Sequence, residues 1–261
     1  MTTLNSPTIE ELWATLHVIS NDDEVKSHRK RFAESVREYF ERNFHVAPQP
    51  RVVCIFDDQD HKYLKEEFGG EANRGVHWPI RGRGISNWPC YAHDMIAPPK
   101  GDGSLAWPFA SIIYLHGSTC ESDIGLALSF AHELQHFLQY SQKKSVWAMN
   151  TLLIDLRNEE FKVWWDFPIE IEARVIAKRV AEELFGTKPV NEYILARIAA
   201  QITDNDVEDW RFVQGIDAAV LYDLAEATKP LVQRHRQALE KLLEQRREDP
   251  DYFNVTLDAL S

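Results

Sequence analysis

Apolar and polar positions follow two different rhythms along this chain. Between residues 22 and 44, Val25, Phe32, Val36 and Phe40 recur near helical spacing among charged neighbours, which predicts a long amphipathic helix. Before it, Thr8-Ile9-Glu10-Glu11 reads as a capping box, with Thr at the N-cap and Glu three residues on, opening a short helix to about His17. Arg51-Val52-Val53-Cys54-Ile55-Phe56 is instead a short, β-branched apolar run and predicts a buried strand. Ile112 to His116 has the same character. The stretch between them, residues 69 to 108, is rich in Gly, Pro, Asn and Asp and predicts loops, with short strands near Cys90-Tyr91-Ala92.

From about Ser122 to Tyr140 the helical rhythm returns, and beyond Asn150 it is almost unbroken. Asp166-Phe167-Pro168 supplies an N-cap and an early-turn proline for a helix that runs to Phe185 and stops at Gly186. Further helices are expected over Val190 to Ile202, Val207 to Thr228 and Lys229 to Arg247. The class predicted is α+β, a small sheet in the first half with helices around and after it. No repeat, low-complexity linker or sharp change of composition divides the chain. One unit over residues 1–261 is therefore expected, with N-terminal helices over 1–48, a core over 49–186 and a helical subdomain over 187–261.

Charge narrows the partners. Twenty-nine Lys and Arg against 41 Asp and Glu give a net charge of −12, a field that repels phosphate backbones. Nucleic acid and anionic membrane are excluded as expected partners. His28-Arg29-Lys30-Arg31 is a local exception, flanked by acids and read as a solvated helix face. Cys54, Cys90 and Cys120 are far apart with no CxxC pair, which fits a reducing compartment. Neither a signal-peptide pattern nor an apolar run of membrane length is present, so a cytoplasmic protein is expected.

Chemistry concentrates in His132-Glu133-Leu134-Gln135-His136, an HExxH motif. Ile124, Leu126, Ala127, Phe130, Ala131, Leu134 and Leu138 set it in an apolar helix. Positions i and i+4 share a helix face, so both imidazoles can aim at one ion. Two neutral imidazoles leave room on Zn2+ for a third protein ligand and a water. Glu133, one residue on, points aside from the ion and suits a general base.

The motif and the strand–helix order before it resemble the zincin metallopeptidases, specifically the gluzincin branch, over roughly residues 110 to 186. The resemblance implies a zincin-like fold, with a small mixed sheet packed on the HExxH helix and a mainly helical C-terminal half. It also implies a third zinc ligand from a glutamate on a later helix. Pro168-Ile169-Glu170-Ile171-Glu172-Ala173 offers two. Ile169, Ala173, Ile176, Val180 and Leu184 mark a buried stripe, which Ala177 and Ala181 extend on the Glu170 side; Glu170 sits about 60° from its centre and Glu172 about 100°, facing outward more. Several zincin groups carry Glu-x-x-Ala with the first Glu as ligand, which matches Glu170 and Ala173. The thermolysin-like pattern, Glu directly before Ala, would favour Glu172, but that branch carries an acid four residues later, where this chain has Ile176. Glu170 is the expected ligand and Glu172 the alternative.

Peptide deformylases use HExxH with an upstream cysteine, which brings Cys90 into question. Trp88-Pro89-Cys90-Tyr91 lacks that family's Glu-Gly-Cys context, so Cys90 reads as a core thiol, as does Cys120. His116 is the first candidate donor to a developing oxyanion, with Tyr140 and Arg174 behind it. Trp147, Trp164 and Trp165 would line a cleft or fill core. The expected activity is zinc-dependent hydrolysis of peptide bonds in a protein or peptide substrate. Zinc would be held by His132, His136 and Glu170, and its bound water deprotonated by Glu133. Two other readings are a deformylase-like zinc amidase and a non-catalytic helical interaction protein with a vestigial motif.

Overall fold

The computed structural model describes residues 14–44, 52–57, 75–79, 111–116, 122–156, 166–200, 204–249, 252 and 254–260. The chain separates into two compact units, residues 1–123 and residues 124–261. The dividing line falls at the first residue of the HExxH helix, where the sequence suggests a single unit.

The first unit holds a four-stranded sheet. Its strands are β1 (Ala14–Ile19), β2 (Val52–Asp57), β3 (Gly75–Pro79) and β4 (Ser111–His116), in the order β1-β2-β4-β3. β1 runs parallel to β2 and β2 parallel to β4, while β3 is antiparallel to β4. Cys54, Phe56, Ile113, Tyr114 and Leu115 are buried, as continuous apolar runs in a parallel pair should be. α1 (Asp23–Asn43) links β1 to β2. The Asp22 carboxylate caps it, accepting from the backbone N–H groups of Glu24 and Val25 at 2.8 and 3.3 Å. Phe32, Ala33, Val36, Tyr39 and Phe40 form its buried stripe. His28, Lys30 and Arg31 are exposed as expected, and the Arg29 guanidinium pairs with Asp123 at 3.0 Å.

The short helix expected to end near His17 is corrected: its last residues belong to β1, where Leu16 and Val18 pair with Cys54 and Phe56. Thr8 to Glu11 lie outside the described residues. β3 falls inside the stretch read as loop, and the strand expected near Cys90 lies outside the described residues.

The second unit is built from helices: α2 (Asp123–Gln142, whose first residue belongs to the first unit), α3 (Lys144–Leu156), α4 (Pro168–Phe185), α5 (Thr187–Ala200), α6 (Asp204–Gly215), α7 (Leu224–Arg234) and α8 (Arg236–Gln245), then a 3-10 turn over Leu257–Leu260. Among its described residues there is no strand. The α+β, zincin-like expectation is therefore corrected: the described residues are mainly helical, and the motif stands in a unit whose described residues hold helices and no strand. The physical reason lies in α2 itself. Its buried residues, from Gly125 through Leu128 and on through Phe130, Ala131, Glu133, Leu134, Gln135, Phe137, Leu138 and Gln139, occupy most of its circumference. Such a helix needs cover on more than one side.

One core gathers Trp147, Met149, Leu152 and Leu153 of α3, Phe167 and Ile169 at the start of α4, and Leu224, Val232 and Leu239 of α7 and α8. Asn150, with no exposed surface, ties these elements together. Its Nδ2 donates to Thr228 Oγ1 at 2.8 Å, and its Oδ1 accepts from the Ile169 N–H at 3.4 Å, one of the orphan donors of α4. The N-cap of α4 is Phe167 rather than Asp166, with no side-chain cap and Pro168 at the first turn. Gly186 ends it with φ 85°, where a side chain would be strained. The single helix expected over 207–228 breaks after Gly215 and resumes at Leu224, behind an Asp223 N-cap. Lys178 holds that break. Its ammonium donates to the carbonyls of Val213, Gln214 and Ile216 at 3.2, 3.0 and 2.7 Å, satisfying the end of α6, and burial lowers its pKa.

Among the described residues, no helix is long and apolar enough to cross a membrane.

Candidate metal centre

Helical spacing does what the motif promises. His132 and His136 lie one turn apart on α2, their rings edge-on with centroids 4.5 Å apart and their Nε2 atoms 3.0 Å apart. Glu170, the third residue of α4, brings its carboxylate across both. Oε2 lies 3.4 Å from His132 Nε2 and Oε1 3.2 Å from His136 Nε2. Ligands held at zinc's bond lengths of ~2.0–2.1 Å and tetrahedral angles stand about 3.3–3.4 Å from one another. The three side chains fit that ion. Among the described residues, they are the group of histidine, cysteine and acid side chains close enough to share one. The His132 and His136 side chains keep 17% and 12% exposure, so a further ligand has a way in.

The electrostatics separate the two rings. Burial, reinforced by His136, lowers the His132 pKa to about 4. Burial also opposes charge on His136, but the Glu170 carboxylate outweighs it and the pKa rises to about 9. For Glu170 burial acts upward and is overcome by the two imidazoles, which hold it well below the ordinary carboxylate range. Glu133 is 7% exposed and close enough for its charge to raise His136.

A second set of contacts braces the first. Arg174 Nη1 donates to Glu170 Oε2 at 2.6 Å, and its Nε donates to Asp209 Oδ1 at 3.0 Å. Burial opposes the guanidinium charge, but these two carboxylates prevail and raise its pKa. Arg174, a candidate oxyanion donor by sequence, thus spans Glu170 and Asp209 of α6. Gln139 Oε1 lies 2.7 Å from His136 Nδ1, the ring nitrogen turned away from the ligand cluster.

Glu172 departs from expectation. It is 3% exposed, as buried as Glu170, and faces α2. Gln135 Nε2 donates to its Oε2 at 3.0 Å, Gln139 Nε2 to the same oxygen at 2.9 Å, and Lys143 Nζ to Oε1 at 2.7 Å. Several elements cover α4, not one side alone. The signal for Glu172 lay in Gln135 and Gln139 of α2 and Lys143 just past its end, donors that recur every fourth residue.

The remaining candidates fall elsewhere. His116 ends β4 in the first unit, opposite Asp57, and its side chain lies outside the described residues. Tyr140 packs edge-on against Trp147 at 4.9 Å, and Trp147 fills core. Cys90, Cys120, Trp164 and Trp165 lie outside the described residues. No protein-family model, curated protein or solved structure matches the chain.

Proposed function

We propose that the chain is a zinc-dependent metallopeptidase acting on a protein or peptide substrate in a reducing, cytoplasmic setting. The observation that carries this reading is the convergence of His132, His136 and Glu170, with a buried Glu133 one residue from the first ligand. Zinc bound there would supply a Lewis acid that polarises a carbonyl and lowers the pKa of water toward ~7. Glu133 accepts the water's proton on its carboxylate and returns it to the departing amine nitrogen. Arg174 donates to the Glu170 carboxylate and keeps it aimed at the two rings. The small residual exposure of the two rings leaves them open to a further ligand.

The test separates binding from chemistry. Purified protein should carry about one zinc per chain by elemental analysis. Glu133→Gln should keep that zinc and the melting temperature but lose cleavage of an unbiased peptide pool read by mass spectrometry. Zinc-free protein after reconstitution would remove the reading, and cleavage persisting in Glu133→Gln would remove the assigned base.

A further inference from the structure

We infer that Glu172, acting through the side-chain amide of Gln139, fixes the His136 tautomer that offers Nε2 to the metal. This rests on the metal-site reading above and deepens it by giving the second buried glutamate a positioning role.

Gln139 is fully buried, and both ends of its amide are engaged. One end lies 2.9 Å from the Ile169 carbonyl oxygen and 2.9 Å from Glu172 Oε2. A backbone carbonyl and an ionised carboxylate accept hydrogen bonds and donate none, so the NH2 group must occupy that end. The reversed amide would set its oxygen against two others with no proton between them. Oε1 must then face His136 Nδ1 at 2.7 Å, and an amide oxygen there requires an N–H on the ring. A neutral imidazole protonated at Nδ1 carries its lone pair on Nε2. That atom is the one 3.0 Å from His132 Nε2 and 3.2 Å from Glu170 Oε1.

Glu172 can hold the amide because its own freedom is spent. Gln135 and Gln139 both donate to Oε2, and Lys143 takes Oε1. A buried carboxylate with three donors and no imidazole against it serves as a fixed acceptor rather than a metal ligand. Histidine ligands commonly have the far nitrogen held in this way, and losing such a partner costs about 10- to 100-fold in metal affinity.

The experiment measures the zinc dissociation constant by competition with a chromogenic chelator, alongside the melting temperature of each variant. Gln139→Met, which removes the acceptor at Nδ1, should weaken zinc about 10- to 100-fold. Glu172→Leu, which leaves the Ile169 carbonyl as the one remaining acceptor for the amide, should weaken zinc by a smaller factor. Glu172→Gln, which keeps an acceptor oxygen, should restore most of the loss. Because the two residues act in series, Gln139→Met combined with Glu172→Leu should bind no more weakly than Gln139→Met alone.

Nitrogen chemical shifts of the zinc-loaded wild type supply a reading that needs no variant, and should show a proton on His136 Nδ1 and metal on Nε2. Losses that multiply in the double variant, unchanged affinity in Glu172→Leu, or metal on Nδ1 would each overturn the relay while leaving the metal site standing. Wild type that binds no zinc would overturn both.

Discussion

Glu170 and Glu172 stand two residues apart on α4, equally buried, and each faces α2 with a different chemistry. Around Glu170 lie two ring nitrogens that can present lone pairs, with one guanidinium behind. Around Glu172 lie two amides and an ammonium, groups that donate on that side and cannot ligate. Burial alone would have ranked the two alike. On the proposed reading, what distinguishes a metal ligand from a structural carboxylate is whether its neighbours compete for protons or supply them.

The largest effect that tests this contrast is loss of metal. Glu170→Ala should bring zinc content to background by elemental analysis, whereas Glu172→Gln should keep about one zinc per chain. Equal retention in both would erase the distinction.

Arg174→Met sharpens it through stability. It leaves Glu170 and Asp209 without their shared cation, and breaking a buried pair from one side costs about 3–5 kcal/mol. Denaturant melts of metal-free protein should show that loss, and saturating zinc should shrink it by supplying another cation to Glu170. The Asp209 share of the penalty should persist. A loss unaffected by zinc would mean that Glu170 does not meet the ion.

The smallest effect concerns protons. With His136 raised to about 9 and His132 lowered to about 4, the metal-free pair holds close to one proton at pH 7, on His136. Zinc needs that nitrogen deprotonated, so uptake at pH 7 should release about one proton. Affinity should climb with pH toward 9 and flatten above it, where no proton remains to displace. Calorimetry in buffers of different ionisation enthalpy measures the count directly, and release of none at pH 7 would contradict the pairing of His136 with Glu170.

Much of this was readable in the chain. The four-residue repeat of His132 and His136 fixed the core of the site, because helix geometry is local. The start of α1 near residue 22 and the stop of α4 at Gly186 were legible for the same reason. Glu170 emerged from a stripe that was correct as far as it went. Glu172 and Lys178 did not, because both look solvent-facing on a helix with one apolar side, and α4 is enclosed on several. Gln139 and Asp209 were illegible for another reason. Their roles depend on partners thirty or more residues away, Ile169 and Glu172 for Gln139 and Arg174 for Asp209, and nothing in the sequence names those partners.

Asn150 carries a consequence that reaches the metal. Glu170 stands one residue beyond Ile169, whose amide the Asn150 side chain receives, while that same side chain grips Thr228 on α7. The ligand's position is thus set by a strut whose far end belongs to the C-terminal helices. If zinc binds as proposed, any change that loosens α7 should slacken the strut and weaken the hold of Glu170 on the ion. Zinc release would then report damage to α7 as well as to the motif helix.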